Sequence, residues 1–339
     1  MPDPSVCVSI VTYNSGRYIR RCLDAVRSQQ GVRVDVVVVD NASTDGTRKV
    51  LEGYRGFIRA IYNSRNVGFA EAQNQAIRCA GAEWVLALNP DVLMQPGFIR
   101  SLVEAGEMDS SVGAVCGKLL SIGPGFQPLA ERLIDSAGLY FTPSMRHFDR
   151  GWHEPDGECF GRAEYVFGAS AAAALYRRRM IDDISVEGDF FDPDFFSYRE
   201  DADVAWRAQL LGWRSIYTPA AVAYHVRSVL PGSRRAVPHL INMHSVKNRF
   251  LMRIKNATPD LYRRCWLPMT ARDFLVVAGC FLGEPRSLAA FWRVAQCFQR
   301  VLHRRRLIMS RRRVSDEALA RWFSFEPATQ PLGDRKSVV

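Results

Sequence analysis

The chain has no Cys-x-x-Cys pair, no glycine-rich basic loop after its first strand-like segment, and no apolar run near the roughly 20 residues that span a bilayer. Each absence removes a class of protein. The eight cysteines lie scattered, several in apolar runs as small hydrophobes, so we expect a reducing cytoplasm with neither disulfides nor zinc. A dehydrogenase would show Gly-x-Gly-x-x-Gly after the first strand and a nucleotidyltransferase a basic phosphate loop, but Thr12-Tyr13-Asn14 occupies that place. Met1-Pro2-Asp3-Pro4 lacks a charged leader, and the longest apolar run of the second half, Phe274 to Gly283, is short, so membrane contact is expected only at the periphery. Acid is scarce in the last third. The net charge of +10 splits into −5 over residues 1–226, with 23 Lys+Arg against 28 Asp+Glu, and +15 over residues 227–339, with 22 against 7.

What is present begins with alternation. Segments rich in Val and Ile, Val6 to Val11, Val34 to Val39, Ala60 to Tyr62 and Trp84 to Leu88, alternate with helical patterns at Tyr18 to Ser28, Gly46 to Tyr54 and Ala70 to Ala80. Such βαβ units predict a mostly parallel sheet buried on both faces, a Rossmann-like nucleotide-binding half. Residues 121–165 carry glycines, prolines and aromatics without a period, which predicts a functional loop or lid. Val166 to Tyr176 reads as one long strand of small residues, and Asp201 to Leu211 as a helix ended by Gly212.

From Pro238 the pattern is helical and basic. Leu288, Phe291, Ala295, Phe298 and Leu302 follow the spacing of one helix face, with Arg286, Arg293 and Arg300 placed opposite and no acid between Glu284 and Asp316. That helix could lie on an anionic membrane or pack on the preceding domain, and periodicity does not separate the two. The domain expectation is 1–230 for a catalytic unit (1–120 nucleotide half, 121–230 acceptor half), 231–326 for a basic helical region and 327–339 for a flexible tail.

Chemistry-bearing residues gather at predicted strand ends, where open α/β sheets bind ligands. Asp40 follows four valines and is placed to accept a hydrogen bond from a pyrimidine N3–H or a ribose; a turn aspartate capping the next helix is the other reading. Asn89-Pro90-Asp91 ends another strand, where one carboxylate suits Mg²⁺ or Mn²⁺ completed by phosphate and water, while an Asx-Pro turn needs no ligand. Glu200-Asp201 opens a helix, a position acidic residues favour through the macrodipole whether or not they do chemistry. His225 is either structural or a cation ligand, imidazole suiting Mn²⁺.

Val8-Ser-Ile-Val-Thr-Tyr-Asn14, Val39-Asp-Asn-Ala-Ser-Thr-Asp-Gly46, Asn66-Val-Gly-Phe-Ala70 with Asn74, Leu88-Asn-Pro-Asp91, Gly168-Ala-Ser170 and Glu200-Asp-Ala-Asp-Val-Ala-Trp-Arg207 with Gly212-Trp213 resemble, in order and spacing, family 2 inverting glycosyltransferases of the GT-A fold over residues 5–230. The resemblance implies the fold class: an α/β GT-A domain with a Rossmann-like, mostly parallel mixed sheet, here followed by a basic helical extension. It also implies roles. Thr12, Tyr13, Asn14, Asp40, Asn41, Asn66, Gly68, Phe69, Asn74 and Asn89 would bind the nucleotide-sugar donor, with Asp40 on the base and Asn89 on the ribose. Asp91 and His225 would hold Mg²⁺ or Mn²⁺. Asp201, with Glu200 beside it, would be the base that deprotonates the acceptor. Acceptor specificity is assigned to residues 121–170, with Gly168, Ala169 and Trp152 as contacts. Asn89 replaces the first carboxylate of the family's Asp-x-Asp, a form the resemblance links to bacterial rhamnosyltransferases of cell-surface polysaccharide assembly.

The expected activity is inverting, metal-dependent transfer of one sugar, rhamnose from dTDP-rhamnose, to a saccharide or lipid-diphosphate-linked acceptor. UDP-galactose, UDP-galactofuranose and UDP-N-acetylglucosamine are the alternative donors. A processive synthase of this family would carry Gln-x-x-Arg-Trp after the base and several membrane spans, which this sequence lacks. A nucleic-acid module would need aromatics interleaved with the tail arginines, and none is arranged so. Peripheral attachment to the inner face of the plasma membrane through the C-terminal basic helix is expected, no nucleic-acid partner is, and a homodimer is compatible with the sequence.

Overall fold

The computed structural model describes residues 3–227 and 239–332, so the expected boundary at 230/231 and the end of the tail lie outside the described residues. The chain runs β1 (Ser5–Thr12), α1 (Ile19–Arg27), β2 (Arg33–Asp40), α2 (Thr47–Glu52), β3 (Ile58–Tyr62), α3 (Phe69–Cys79), β4 (Trp84–Leu88), β5 (Val92–Met94), α4 (Phe98–Glu107) and β6 (Val112–Ser121). Short strands β7 (Ile134–Ser136), β8 (Leu139–Phe141), β9 (His147–Asp149) and β10 (Glu164–Val166) follow, then β11 (Ala173–Arg177), α5 (Arg178–Ile184), α6 (Glu200–Leu210) and β12 (Arg214–His225). Helices α7 (His239–Asn256), α8 (Pro259–Leu282), α9 (Ala289–Ser310) and α10 (Asp316–Ala320) precede β13 (Gln330–Pro331).

The main sheet has the order β13-β10-β12-β6-β11-β4-β1-β2-β3. Pairs β4-β1-β2-β3 and β6-β12 are parallel, while β11 runs antiparallel to both β4 and β6. Val36 to Val39 of β2 and the apolar residues of β1 and β4 are buried, as a sheet covered on both faces requires. The register pairs Thr12 with Asp40 and Ile10 with Leu88, so these three strands deliver their following residues to one edge.

Three expectations change. Val166 to Tyr176 is not one strand: β10 ends at Val166, β11 begins at Ala173, and the two pair with different neighbours. The intervening residues bend under α6, where Gly168 lies so close that a Cβ would meet the Ala205 methyl at 2.2 Å. Within the tail expected from 327 onward, Gln330–Pro331 pairs with β10 as a short strand, and residues after 332 lie outside the described residues. The buried face of α9 is Ala290, Cys297, Val301, Arg304 and Ile308; of the expected stripe, Leu288 and Phe291 pack partly buried against α7 and α8, while Ala295 and Phe298 are exposed. Periodicity of apolar residues misses this face because Arg304 belongs to it, neutralised by Asp192, Asp189 and Glu187.

The basic tail is therefore bound to the acidic domain through its charges. Arg300 pairs with Asp194 at 2.7 Å, Arg313 with Asp183 at 2.7 Å, and Lys255 with Asp192 and Asp203 at 2.5 and 2.9 Å. α8 differs from its neighbours. It is long and apolar enough to cross a bilayer by length and composition, yet only 22% of its apolar window is buried. Leu261, Cys265, Met269, Val276 and Cys280 pack inward, while Trp266, Leu267, Phe274, Leu275, Phe281 and Leu282 face outward. The eight cysteines carry free thiols.

Candidate active site

Two strand pairings far apart in sequence build the site. β5 runs antiparallel to β12 with Val92 opposite His225, and Val226 N–H donates to the Asp91 carbonyl at 3.0 Å. The pairing brings His225 Nε2 to 3.5 Å from Asp91 Oδ1. On its other side His225 Nδ1 lies 2.7 Å from Asp135 Oδ2 on β7, and Asp135 also receives Arg227 Nε at 2.7 Å. Arg227 extends the chain to Asp149 at 2.7 Å. Burial alone would raise the carboxyl of Asp135, but the hydrogen bonds and charges of His225 and Arg227 hold it down at about 2. Burial would likewise depress His225, yet Asp135 and Asp91 lift it to about 10.

This arrangement fits a divalent cation that would displace the proton His225 otherwise holds on Nε2 toward Asp91. A carboxylate that fixes one ring nitrogen and turns the other toward a second carboxylate is how imidazole is oriented as a ligand. Among the described residues no third His, Cys, Asp or Glu joins Asp91 and His225 in a metal cluster. That matches the way hard cations at phosphate sites take one or two protein ligands and complete their shell with phosphate and water.

Opposite this pair stands the acidic start of α6. Asp201 Oδ1 accepts from Ala202 N–H at 2.8 Å and Oδ2 from Ala171 N–H at 3.3 Å, so the bend at 167–172 that splits β10 from β11 serves to hold this carboxylate. Burial and then the charge of Asp149 push Asp201 up to about 6. Glu200 is more deeply covered, its Oε2 has no hydrogen-bond partner among the described residues, and burial followed by Asp201 pushes it up to about 8. Both carboxyls are thus held above the ordinary range, Glu200 the more strongly.

The segment leading into α6 is strained: Phe196, Tyr198 and Arg199 have φ of 65°, 70° and 72°, each costing roughly 1–3 kcal/mol. α7 supplies what holds it. Buried Asn248 reaches the carbonyls of Phe195, Ser197 and Tyr198 with Nδ2 at 2.9, 2.8 and 2.7 Å. Arg199 anchors to the Ser245 carbonyl at 3.1 Å and to His147 Nδ1 at 3.1 Å. Burial, and then Arg199, keep His147 far below its usual range, hence neutral.

The cavity between these walls holds about 380 Å³. Of the residues singled out in the sequence it is lined by Phe69, Asn89, Asp91, Glu200, Asp201 and His225. Asp149, Arg199, Arg227, His147 and Ser245 line it as well and were not foreseen as site residues. Thr12 and Asp40 lie at the neighbouring strand ends, fully buried, where Asp40 accepts from Thr12 Oγ1 at 3.0 Å, Ser43 N–H at 3.2 Å and Arg48 Nε at 2.8 Å. Tyr13 is exposed beside them, and the Asn14 side chain accepts from Thr44 N–H. Asn41, Asn66 and Asn74 are engaged with backbone: Asn41 donates to the Gly68 carbonyl, Asn66 accepts from Gly68 N–H, and Asn74 is bonded to both backbone polar groups of Phe191. Gly68, at φ 90°, lets Phe196 approach where a Cβ would meet its ring at 2.6 Å. Gly168, Ala169 and Trp152 are absent from the cavity wall; Ser170, Ala171 and Ala172 take that place.

The family model described as Glycosyl transferase family 2 matches residues 7–184. The succinoglycan biosynthesis protein ExoO of Rhizobium meliloti is 32% identical over 299 residues, covering 86% of this chain and 81% of its own. The N-acetylglucosaminyl-diphospho-decaprenol L-rhamnosyltransferase of Mycobacterium tuberculosis is 26% identical over 265 residues, covering 72% and 83%. Among solved structures, TarS of S. aureus in complex with UDP superposes with a TM-score of 0.54 at 19% identity, over 90% of this chain and 88% of that one. GalNAc-T7 with UDP, GalNAc and Mn²⁺ gives 0.58 at 13%, over 74% and 48%.

Proposed function

This chain belongs to glycosyl transferase family 2 and is a glycosyltransferase of the GT-A fold, and from that premise we propose that it moves a single rhamnose from dTDP-rhamnose, with inversion, to a lipid-diphosphate-linked saccharide. The observation that carries the reading is the cavity itself, in which the Asp91–His225 pair and the Asp201 carboxylate face one space at the carboxyl edge of the sheet. The acceptor hydroxyl is a weak nucleophile, and Asp201, ionised above about pH 6 and aimed by two backbone N–H groups, takes its proton. The new C1–O bond forms as the bond to the diphosphate breaks on the opposite face, which inverts the anomeric carbon. Asp91 and His225 would hold a divalent cation, Mg²⁺ or Mn²⁺, whose Lewis acidity offsets charge on the departing diphosphate. Thr12, Tyr13, Asn14 and Asp40 are proposed to receive the base, with Arg48 giving up its bond to Asp40 as the base arrives.

The acceptor class rests on the mycobacterial relative, whose name specifies a diphospho-decaprenol acceptor. We also propose a peripheral position on the inner face of the plasma membrane, carried by α8 rather than by the helix the sequence suggested. The α9 arginines Arg300 and Arg304 are spent on Asp194 and Asp192, whereas the outer face of α8 exposes Trp266, Phe274 and Leu282 at 56%, 73% and 90%. Arg264 is paired with Asp260 and Glu317, but Arg263 at one end and Arg286 beyond the other suit that face to anionic headgroups. Asp273, mid-helix, is tied to Arg253 of α7 at 2.6 Å, which favours α8 lying in the interface over crossing it.

A donor screen tests the reading: release of nucleoside diphosphate from dTDP-rhamnose and from UDP-sugars, with Mg²⁺, Mn²⁺ or EDTA, on the wild type and Asp91→Ala. Cation-dependent turnover of dTDP-rhamnose, lost in the variant, supports it. Turnover of a UDP-sugar alone replaces the donor, and absence of turnover and nucleotide binding removes the reading.

A further inference from the structure

A second cavity, of about 430 Å³, opens between α7 and α9 on the far side of the strained segment that leads into α6. Its charged and polar lining is Asp194, His244, Lys247, Arg293, Gln296 and Arg300. Three cations thus face one carboxylate. Asp194 is taken by Arg300 at 2.7 Å, which leaves Lys247 and Arg293 without a counter-charge: among the described residues neither makes an ion pair. The Lys247 ammonium is buried and donates to a neutral acceptor, the Asp194 carbonyl, at 2.5 Å. Burial pulls it down to about 8, the direction expected of a cation without an anion. His244, 8% exposed, stacks on Phe196 with ring centroids 4.8 Å apart, and its Nδ1 has no hydrogen-bond partner among the described residues. Burial, then Lys247 and Arg293, push that imidazole down to about 4, so it is neutral and its Nδ1 can donate. A buried ammonium, an uncommitted guanidinium and an unpartnered imidazole around one space are the donors an oxyanion with several acceptors uses.

The cavity shares its wall with the active site. Phe196 and His244 line it, while their chain neighbours Ser197 and Ser245 line the catalytic cavity. On the other side of α7, Met243 and Val246 pack against Val276 and Cys280 of α8, the helix with the apolar outer face. Catalytic cavity, cationic cavity and apolar helix therefore follow one another across α7.

We propose that the cavity between α7 and α9 binds the diphosphate of the acceptor, so that its sugar reaches Asp201 and its lipid chain leaves toward α8. This rests on the lipid-diphosphate acceptor of the preceding section and assigns that group a site of its own. Two phosphoryl groups joined to a lipid and a sugar carry about two negative charges, the number the three cations and one carboxylate leave unbalanced.

The test uses the full chain and inorganic diphosphate, followed by calorimetry in EDTA, with Arg293→Ala and the charge reversal Arg293→Glu. Arg293 is exposed and makes no ion pair among the described residues, so its replacement leaves the packed core untouched. Binding is expected in the wild type and in Asp91→Ala, weakened at least about tenfold in Arg293→Ala and lost in Arg293→Glu. With a short-chain prenyl-diphosphate saccharide, Arg293→Ala raises the acceptor KM by a similar factor against an unmoved donor KM. Equal diphosphate binding in wild type and Arg293→Ala overturns the proposal, as does binding lost in Asp91→Ala, which would place the ion in the donor site. Weaker sedimentation of the variant with phosphatidylglycerol vesicles, with diphosphate binding intact, overturns it too by making the cavity a headgroup site. Donor turnover reads the transferase assignment separately, so a failed cavity and a failed transferase give different results.

Discussion

Replacing Asp201 by asparagine separates the demands of chemistry from those of folding. The carboxyl is raised from the ordinary 3.8 to about 6 by burial and by Asp149, a difference of roughly 3 kcal/mol between its two protonation states. Because the folded value is the higher one, the native state holds the proton more tightly than the unfolded chain. Below about pH 4 both states are protonated and no penalty exists. Between 4 and 6 the penalty grows, and above 6 it is complete. Asparagine is neutral throughout and escapes it, but its amide nitrogen then faces a backbone N–H, Ala171 or Ala202, that the carboxylate had accepted from. That mismatch costs about 1 kcal/mol. The net expectation is a gain of about 2 kcal/mol at pH 7.5, and a loss of about 1 kcal/mol at pH 4 where only the mismatch remains.

The same variant is expected to lose roughly 10²- to 10⁴-fold in kcat, the usual contribution of a positioned base, while donor binding persists. Urea unfolding of both proteins from pH 4 to 8, beside turnover of the same preparations, reads both effects. In the wild type kcat/KM should climb through about pH 6 and level off above it. Stability curves that run parallel across the range would show that no raised carboxyl sits at 201. Turnover within tenfold of wild type would remove Asp201 from the base position.

Asp135→Asn takes the anchor from His225 Nδ1 and weakens Arg227; cation affinity, read as the Mn²⁺-induced shift of the melting midpoint in the presence of nucleotide, should fall about 10- to 100-fold. Asn248→Ala strips the donor that reaches three carbonyls of the strained turn, costing about 1–3 kcal/mol of stability, with kcat falling further than donor KM rises. Phe274→Glu with Leu282→Glu removes two large side chains from the outer face of α8, and co-sedimentation with phosphatidylglycerol vesicles should drop more than about tenfold.

What the sequence revealed and what it hid divide along a physical line. The valine runs of β1 and β2, the apolar β4 and helices α1 to α3 were legible to within about two residues, because burial on both faces leaves an unbroken hydrophobic signature. Asp91, Glu200, Asp201 and His225 were legible as strand-end or helix-start residues, and the cavity brings them together. That Asp91 and His225 are neighbours followed only from the family resemblance, which gives both to one cation, since their approach depends on β5 pairing with β12 across more than a hundred residues. Asp135 and Asp149 sit in the stretch without period, where nothing marks one acid from another. Arg227, two residues after His225, was the one clue on the page to a charged network behind the imidazole. Asn248 lay in a helix read only for its basic character.

The split between an acidic first part and a basic second part suggested two units meeting near residue 226, but the charges argue for one. Asp192 and Asp203 are buried within the segments that carry the strained turn and the base, and their counter-ions come from α7, α9 and α6: Lys255 reaches both, Arg304 reaches Asp192, and Arg207 reaches Asp203. Taking one partner from a buried pair costs about 3–5 kcal/mol, because the other charge remains without solvent. Asn256 donates to Asp203 as well, and Asn248 and Lys247 hold carbonyls between residues 194 and 198. The backbone strain at Phe196, Tyr198 and Arg199 is thus balanced by contacts that the acidic part does not contain. Arg227, Lys255, Arg300, Arg304, Arg311 and Arg313 of the basic part pair with acids of the catalytic domain, whereas Lys247 and Arg293, which make no ion pair among the described residues, face the cavity beside the active site.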